Sequence, residues 1–331
     1  MRWRRALLLA ATGAAVIALV GPRARVGDPP RLADAATLGL PRDPTALGPW
    51  LEAREAAVGD VRPGAARTIV WADPAGPAPT DRVVVYLHGF SATRQEVRPL
   101  PDSVAAGLGA NLYYTRLAGH GRPGEAMAEV SVTDWMADVA EAFAVAERLG
   151  ERVVLMGTST GASLALWAAT RPEWRERLDA LVLISPNLGP RDPRARMLLW
   201  PWGGTLLRVV QGRERVWEPA NAEQARHWTT RYPSRALLPM MALVAHVEDL
   251  PLEAVHTPTW MAYSAHDQVI APEAALAAFE RLGSQRKTTV LVRDSDDAAQ
   301  HVLAGDILSP STTARLSDEI VTFVEASAPS G

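Results

Sequence analysis

Ser159, Asp267 and His301 are the side chains in this sequence whose types, order and surroundings suit nucleophilic chemistry on a carbonyl group. Ser159 sits in Gly157-Thr158-Ser159-Thr160-Gly161, after the apolar run Val153–Met156 and before the Ala/Leu-rich stretch Ala162–Ala169. Strand, G-x-S-x-G, helix is the context that puts a serine on a strained turn, its hydroxyl clear of a sheet edge. Gly157 and Gly161 leave room for strand and helix to pass closely. The helix N-terminus behind the serine aims backbone N–H groups at any oxyanion formed beside it. A hydroxyl becomes a nucleophile only when a base takes its proton, and the base needs a carboxylate to orient it. Asp267 follows an apolar segment at 258–264, and His301 follows a β-branched segment at 288–293 and the loop 294–300. Serine, acid and histidine therefore come in a workable order. The same loop carries Asp294, Asp296 and Asp297, so the sequence leaves open which carboxylate orients His301.

Strands and helices alternate around these residues. Strands are expected at 67–72, 81–87, 111–117, 153–156 and 180–185, then at 258–265 and 288–293. Helices are expected at 133–149, 162–169, 272–282 and 312–325, with a shorter one at 46–58. This alternation predicts βαβ units and a mostly parallel central sheet flanked by helices, an α/β fold. The rhythm stops at Pro186. From 187 to 257 no strand pattern shows, and Trp200, Trp202, Trp217 and Trp228 fall here. The expected division is a core of 67–187 and 258–331, a helical cap insertion at 188–257, and an N-terminal extension or linker at 26–66.

Leu87-His88-Gly89-Phe90, Gly157-Thr158-Ser159-Thr160-Gly161, Ala265-His266-Asp267-Gln268-Val269 and Gln300-His301 together resemble the α/β-hydrolase superfamily. Within it, the chain is similar to bacterial carboxylesterase and monoacylglycerol-lipase-like serine hydrolases with a cap. The resemblance spans about residues 81–325. It implies a Ser159–His301–Asp267 triad, an acyl-enzyme, and an oxyanion hole made by the backbone N–H groups of Phe90 and Thr160. The residues agree: one donor opens the elbow helix and the other lies in a Gly-containing loop after a central strand. His88 and Gly89 read as supports of that loop. His120, between two glycines, is a candidate pocket residue. Caps in this position roof the serine, so Trp200, Trp202, Trp217 and Trp228 are candidate pocket residues too. Such rings favour hydrophobic acyl esters, a small-molecule or lipid-like substrate, over sugars. Arg191, Arg194 and Arg196 are expected to face water, an anionic head group being the other use for them.

Composition narrows the alternatives. The chain has 331 residues, 48% hydrophobic and 21% charged, as in an ordinary globular enzyme. A net charge of −3 gives no reason to expect nucleic acid. The absence of cysteine removes thiolate nucleophiles, disulfides and thiolate metal sites. No metal-binding spacing and no nucleotide loop occurs, so no metal or cofactor is expected. Arg2, Arg4 and Arg5 precede the uncharged stretch Ala6–Val20, which reads as a signal peptide or signal anchor over 1–25. Export, or membrane association through residues 6–21, is the expected location. Peptidase, acyltransferase or haloperoxidase chemistry would use the same triad. A non-catalytic hydrolase-like binding protein would need the triad broken, and it is complete.

Overall fold

The computed structural model describes residues 20–28 and 37–327. Its centre is a seven-stranded sheet in the order β1-β3-β2-β4-β5-β8-β9. These strands are β1 (Thr68–Val70), β2 (Thr80–Leu87), β3 (Asn111–Tyr114), β4 (Gly150–Thr158), β5 (Leu178–Ile184), β8 (Thr259–Tyr263) and β9 (Lys287–Leu291). Only β1 runs antiparallel to its neighbour. Strands that need crossovers and are covered on both faces must be apolar throughout, and β4 is buried from Val153 to Thr158.

The two faces of the sheet follow from the alternation of side chains along a strand. Val83, Val85 and Leu87 of β2 point into one core layer, and Val84 and Tyr86 into the other. The first layer is closed by α3 (Val132–Leu149), α4 (Thr160–Ala169), the short α5 (Pro172–Arg175), α8 (Leu237–Glu248) and α9 (Pro272–Arg281). The second is closed by α2 (Leu100–Gly107) and α10 (Pro310–Ala326). Helix α3 begins with a capping box, in which the Ser131 side chain meets the Asp134 amide and the Asp134 side chain meets the Ser131 amide. Helix α2 has no counterpart among the elements expected from the sequence. At eight residues, opened by Leu100-Pro101, it is too short to show a periodic stripe.

Part of the N-terminal extension is packed structure. Helix α1 (Leu47–Val58) buries Leu47, Leu51 and Glu55. The Glu55 carboxylate accepts Arg116 Nε at 2.8 Å and Arg116 Nη2 at 3.0 Å, and it also pairs with Arg67. Arg67 and Arg54 reach Glu141 of α3. Buried charges persist only when paired in this way, so α1 is anchored to the core. The signal segment expected at 1–25 lies outside the described residues except for its last six. Among the described residues, no helix is long and apolar enough to cross a membrane.

The segment between β5 and β8 is not wholly helical. It holds α6 (Gly203–Val210), α7 (Ala222–His227) and α8, but also an antiparallel ribbon of β6 (Glu214–Val216) and β7 (Arg231–Pro233). The expectation of a strandless insertion is corrected here. All three residues of β6 are exposed, so a hydrophobic alternation had nothing to mark.

Candidate active site

A single residue, Ser159, separates the end of β4 from the start of α4, and it makes the turn at φ 52° and ψ −116°. A non-glycine residue in this conformation costs on the order of 1–3 kcal/mol and persists only where its surroundings hold it. They do. The Ser159 amide donates to Ile184 O at 2.9 Å, and its carbonyl accepts from Ala162 at 3.0 Å, Ser163 at 3.1 Å and Asn187 at 3.2 Å. A Cβ at Gly161 would come 2.0 Å from the Leu87 carbonyl oxygen, and one at Gly157 would come 2.6 Å from the Ala162 amide. Both positions therefore exclude a side chain, and the elbow packs directly on the neighbouring strand end.

His301 Nδ1 lies 2.7 Å from Asp267 Oδ2. Asp267 is itself fixed, because its Oδ1 accepts the amides of Val269 at 2.8 Å and Ile270 at 2.9 Å. The three acids of the histidine loop have other partners. Asp297 Oδ2 accepts the His301 amide at 3.0 Å and the Val302 amide at 2.9 Å, and its Oδ1 accepts from Ala299 at 3.1 Å. Asp294 pairs with Arg315, and Asp296 accepts the Ser311 amide at 2.9 Å near the start of α10. The alternatives left by the sequence thus separate by position: Asp267 meets the ring of His301, and Asp297 holds its backbone. Burial opposes a charged His301 ring. The hydrogen bond and charge of Asp267, helped by Glu96 and Asp297, still hold its pKa above the ordinary histidine value.

The loop after β2 is braced from several sides. His88 Nδ1 lies 2.9 Å from Gly89 O, and its Nε2 accepts the Leu117 amide at 3.1 Å. The Nδ1–H tautomer satisfies both contacts. Burial and the neighbouring His120 push the His88 pKa down to about 3, so the ring stays neutral. Gly89 O also accepts from Ala92 at 3.3 Å. In a trans peptide the Phe90 N–H points opposite the Gly89 carbonyl, so these contacts fix its direction. The Thr160 amide is in the first turn of α4, where a helix supplies no acceptor of its own. The insertion grips this loop as well: Thr229 donates to Ser91 O at 2.7 Å, and Tyr232 meets the Phe90 ring edge-on at 5.6 Å.

Ser159, His301 and Phe90 line one cavity of about 1330 Å³. Leu198, Leu207, Trp217, Trp228, Met240 and Met241 of the insertion form much of its apolar wall. Of the four candidate tryptophans, Trp217 and Trp228 are therefore in the lining. Trp200 and Trp202 are not; they are 59% and 41% exposed. They flank the start of α6, where the Trp202 amide donates to Pro22 O at 2.9 Å and its ring packs on Gly21. His120 is also outside the cavity. Its ring is fully buried between His88, Phe90 and Trp135, with Nδ1 3.0 Å from Ala118 O. A residue that the sequence did not single out, Glu96, is buried in the cavity wall beside Gly89.

Fold and site define an α/β-hydrolase of the lipase/esterase type. The sequence pattern of the serine aminopeptidase S33 family matches residues 78–295, well over half of the chain, and the chain belongs to that family. It is 26% identical to a thermostable monoacylglycerol lipase of Bacillus sp. (strain H-257) over 212 residues, covering 64% of this chain and 81% of that one. Among solved structures, one described under LipS and LipT, two metagenome-derived lipolytic enzymes, superposes with a TM-score of 0.66 at 23% identity, over 80% of this chain and 99% of that one. A monoacylglycerol lipase from Paleococcus ferrophilus gives 0.59 at 18% identity, over 79% and 98%. These relationships support ester hydrolysis as the general activity.

Proposed function

We propose that this chain is a serine hydrolase that cleaves carboxylic esters of hydrophobic acyl groups through an acyl-enzyme. The observation that carries the reading is the 2.7 Å contact of His301 with Asp267 in the same cavity as the strained Ser159. In this mechanism His301 Nε2 takes the Ser159 proton as Oγ adds to the ester carbonyl. The Phe90 and Thr160 amides stabilise the resulting oxyanion. Collapse breaks the bond to the alcohol, which leaves with the proton from His301. Water, deprotonated by the same ring, then releases the acid and restores Ser159. Gly157, Gly161, His88 and Gly89 act through placement. The lining of Leu, Met and Trp side chains suits an acyl chain better than a polar group. The monoacylglycerol lipases among the relatives point the same way, to a lipid-like ester. Residues 188–257 act in this reading as the cap over the serine.

The test is labelling with a fluorophosphonate, followed by a chain-length series of p-nitrophenyl esters. Labelling at Ser159 and a preference for medium over short chains are expected; no labelling of the active, folded protein sinks the reading. The rate should also report His301. Its pKa is raised, and only the neutral ring accepts a proton, so kcat/KM falls as pH drops through a value above the ordinary 6.5. A pH–rate profile flat through that region contradicts His301 as the base.

Export or membrane anchoring through residues 1–25 is part of the same proposal. Supporting it, Arg2, Arg4 and Arg5 precede the uncharged stretch Ala6–Val20. Fusing residues 1–30 to a reporter that works only outside the cytoplasm tests this, and a silent, soluble reporter contradicts it.

A further inference from the structure

Glu96 has no step in the mechanism above, yet its side chain is only 2% exposed and borders the catalytic cavity. A carboxyl group buried this far is costly unless its lone pairs are satisfied. Its Oε2 accepts the Gly89 amide at 2.7 Å and the Tyr86 hydroxyl at 3.1 Å. Tyr86 Oη lies 3.0 Å from Thr158 Oγ1. Gly89 directly precedes Phe90, and Thr158 directly precedes Ser159. Gly89, Glu96, Tyr86 and Thr158 thus form one buried chain from the oxyanion loop to the nucleophile elbow. The loop is pressed against the carboxyl group, since a Cβ at Gly89 would come 2.5 Å from Glu96 Oε1. The chain works with either protonation of Glu96: Tyr86 has one proton, given to Glu96 when that group is ionised and to Thr158 when Glu96 donates.

We propose that Glu96 is a positioning residue of the reaction, fixing the Gly89–Phe90 segment against the elbow so that the Phe90 amide meets the forming oxyanion. The inference rests on the serine-hydrolase reading of the site. Electrostatics gives it a second consequence. Burial pushes the Glu96 carboxyl up to about 7, against the Gly89 amide, His301 and the Tyr86 hydroxyl, which favour its charged form. The charged groups acting on His301 are Asp267, Glu96 and Asp297. Removing the Glu96 charge therefore makes the His301 ring easier to deprotonate.

The experiment compares wild type, Glu96→Leu, Glu96→Gln and Ser159→Ala, all full length, on a short-chain p-nitrophenyl ester across pH. Leucine removes the acceptor for Gly89, so kcat should fall about 10–100-fold with KM little changed, a part of what losing an oxyanion donor outright costs. Glutamine keeps an acceptor and should restore most of that rate. In both variants the acid limb of kcat/KM should move to lower pH, a shift that a mere packing defect does not produce. Wild-type kcat in Glu96→Leu overturns the proposal, as does an acid limb that stays in place in Glu96→Gln. The glutamine result decides if the leucine protein does not fold. If Ser159→Ala is inactive while the Glu96 variants behave as wild type, the positioning role alone fails. If Ser159→Ala hydrolyses the ester, the hydrolase reading fails with it.

Discussion

Ser159→Ala should lower kcat/KM for an activated ester by about 10⁶-fold, leaving only what binding and the oxyanion donors supply. The loss is expected to be almost wholly chemical. It is the Ser159 backbone that ties the elbow together, through the amide to Ile184 and the carbonyl to Ala162, Ser163 and Asn187. Alanine keeps all of these and tolerates the turn about as well as serine does. Thermal unfolding should therefore be nearly unchanged while fluorophosphonate labelling disappears. His301→Ala should cost a similar factor, because a hydroxyl without its base is a poor nucleophile and the two groups act as a unit. Hydrolysis by the alanine variant near the wild-type rate would place the nucleophile elsewhere.

Much of this site could be read from local pattern. The elbow declares itself because three constraints fall within thirteen residues: an apolar strand, two positions that tolerate no Cβ, and a helix start. Strands β2, β5 and β8 were legible for the same reason, being buried on both faces and rich in branched and aromatic side chains. Helix α2 and the β6–β7 ribbon were not. Each is short, and the ribbon is held by pairing between chain segments 15 or more residues apart rather than by a pattern along either strand.

The tryptophans show where composition stops informing. All four lie in one insertion, and nothing in their sequence neighbours separates Trp217 and Trp228 in the cavity from Trp200 and Trp202 at the surface. That division is made by α6, whose start packs against Gly21 and Pro22 from the far end of the chain. Glu96 was hidden for a related reason. A glutamate eight residues after a histidine looks like a solvated loop charge, and its burial depends on the Gly89 amide and the Tyr86 hydroxyl meeting it in space. Such contacts are long-range in consequence though short-range in sequence.

The choice of carboxylate is the point at which sequence order was ambiguous and geometry offers a decisive comparison. Asp267→Asn should lower kcat/KM by about 10⁴-fold with the loop intact. An asparagine at 267 can keep its Oδ1 on the amides of Val269 and Ile270, which now bind Asp267 Oδ1. Its amide NH₂ then faces His301 Nδ1, which must accept instead of donate. The ring is driven to the tautomer protonated at Nε2, and that nitrogen can no longer take the proton of Ser159. Loss of the carboxylate charge also lowers the His301 pKa, so the acid limb of the residual activity should move down in pH. Asp297→Asn should behave differently. Its oxygens hold the amides of Ala299, His301 and Val302, so the change weakens the loop by about 1–3 kcal/mol, read in urea unfolding. Its effect on kcat should be far smaller than that at 267. Crippled catalysis in Asp297→Asn beside a nearly normal Asp267→Asn would show that the loop acid, and not Asp267, is the group that orients the base.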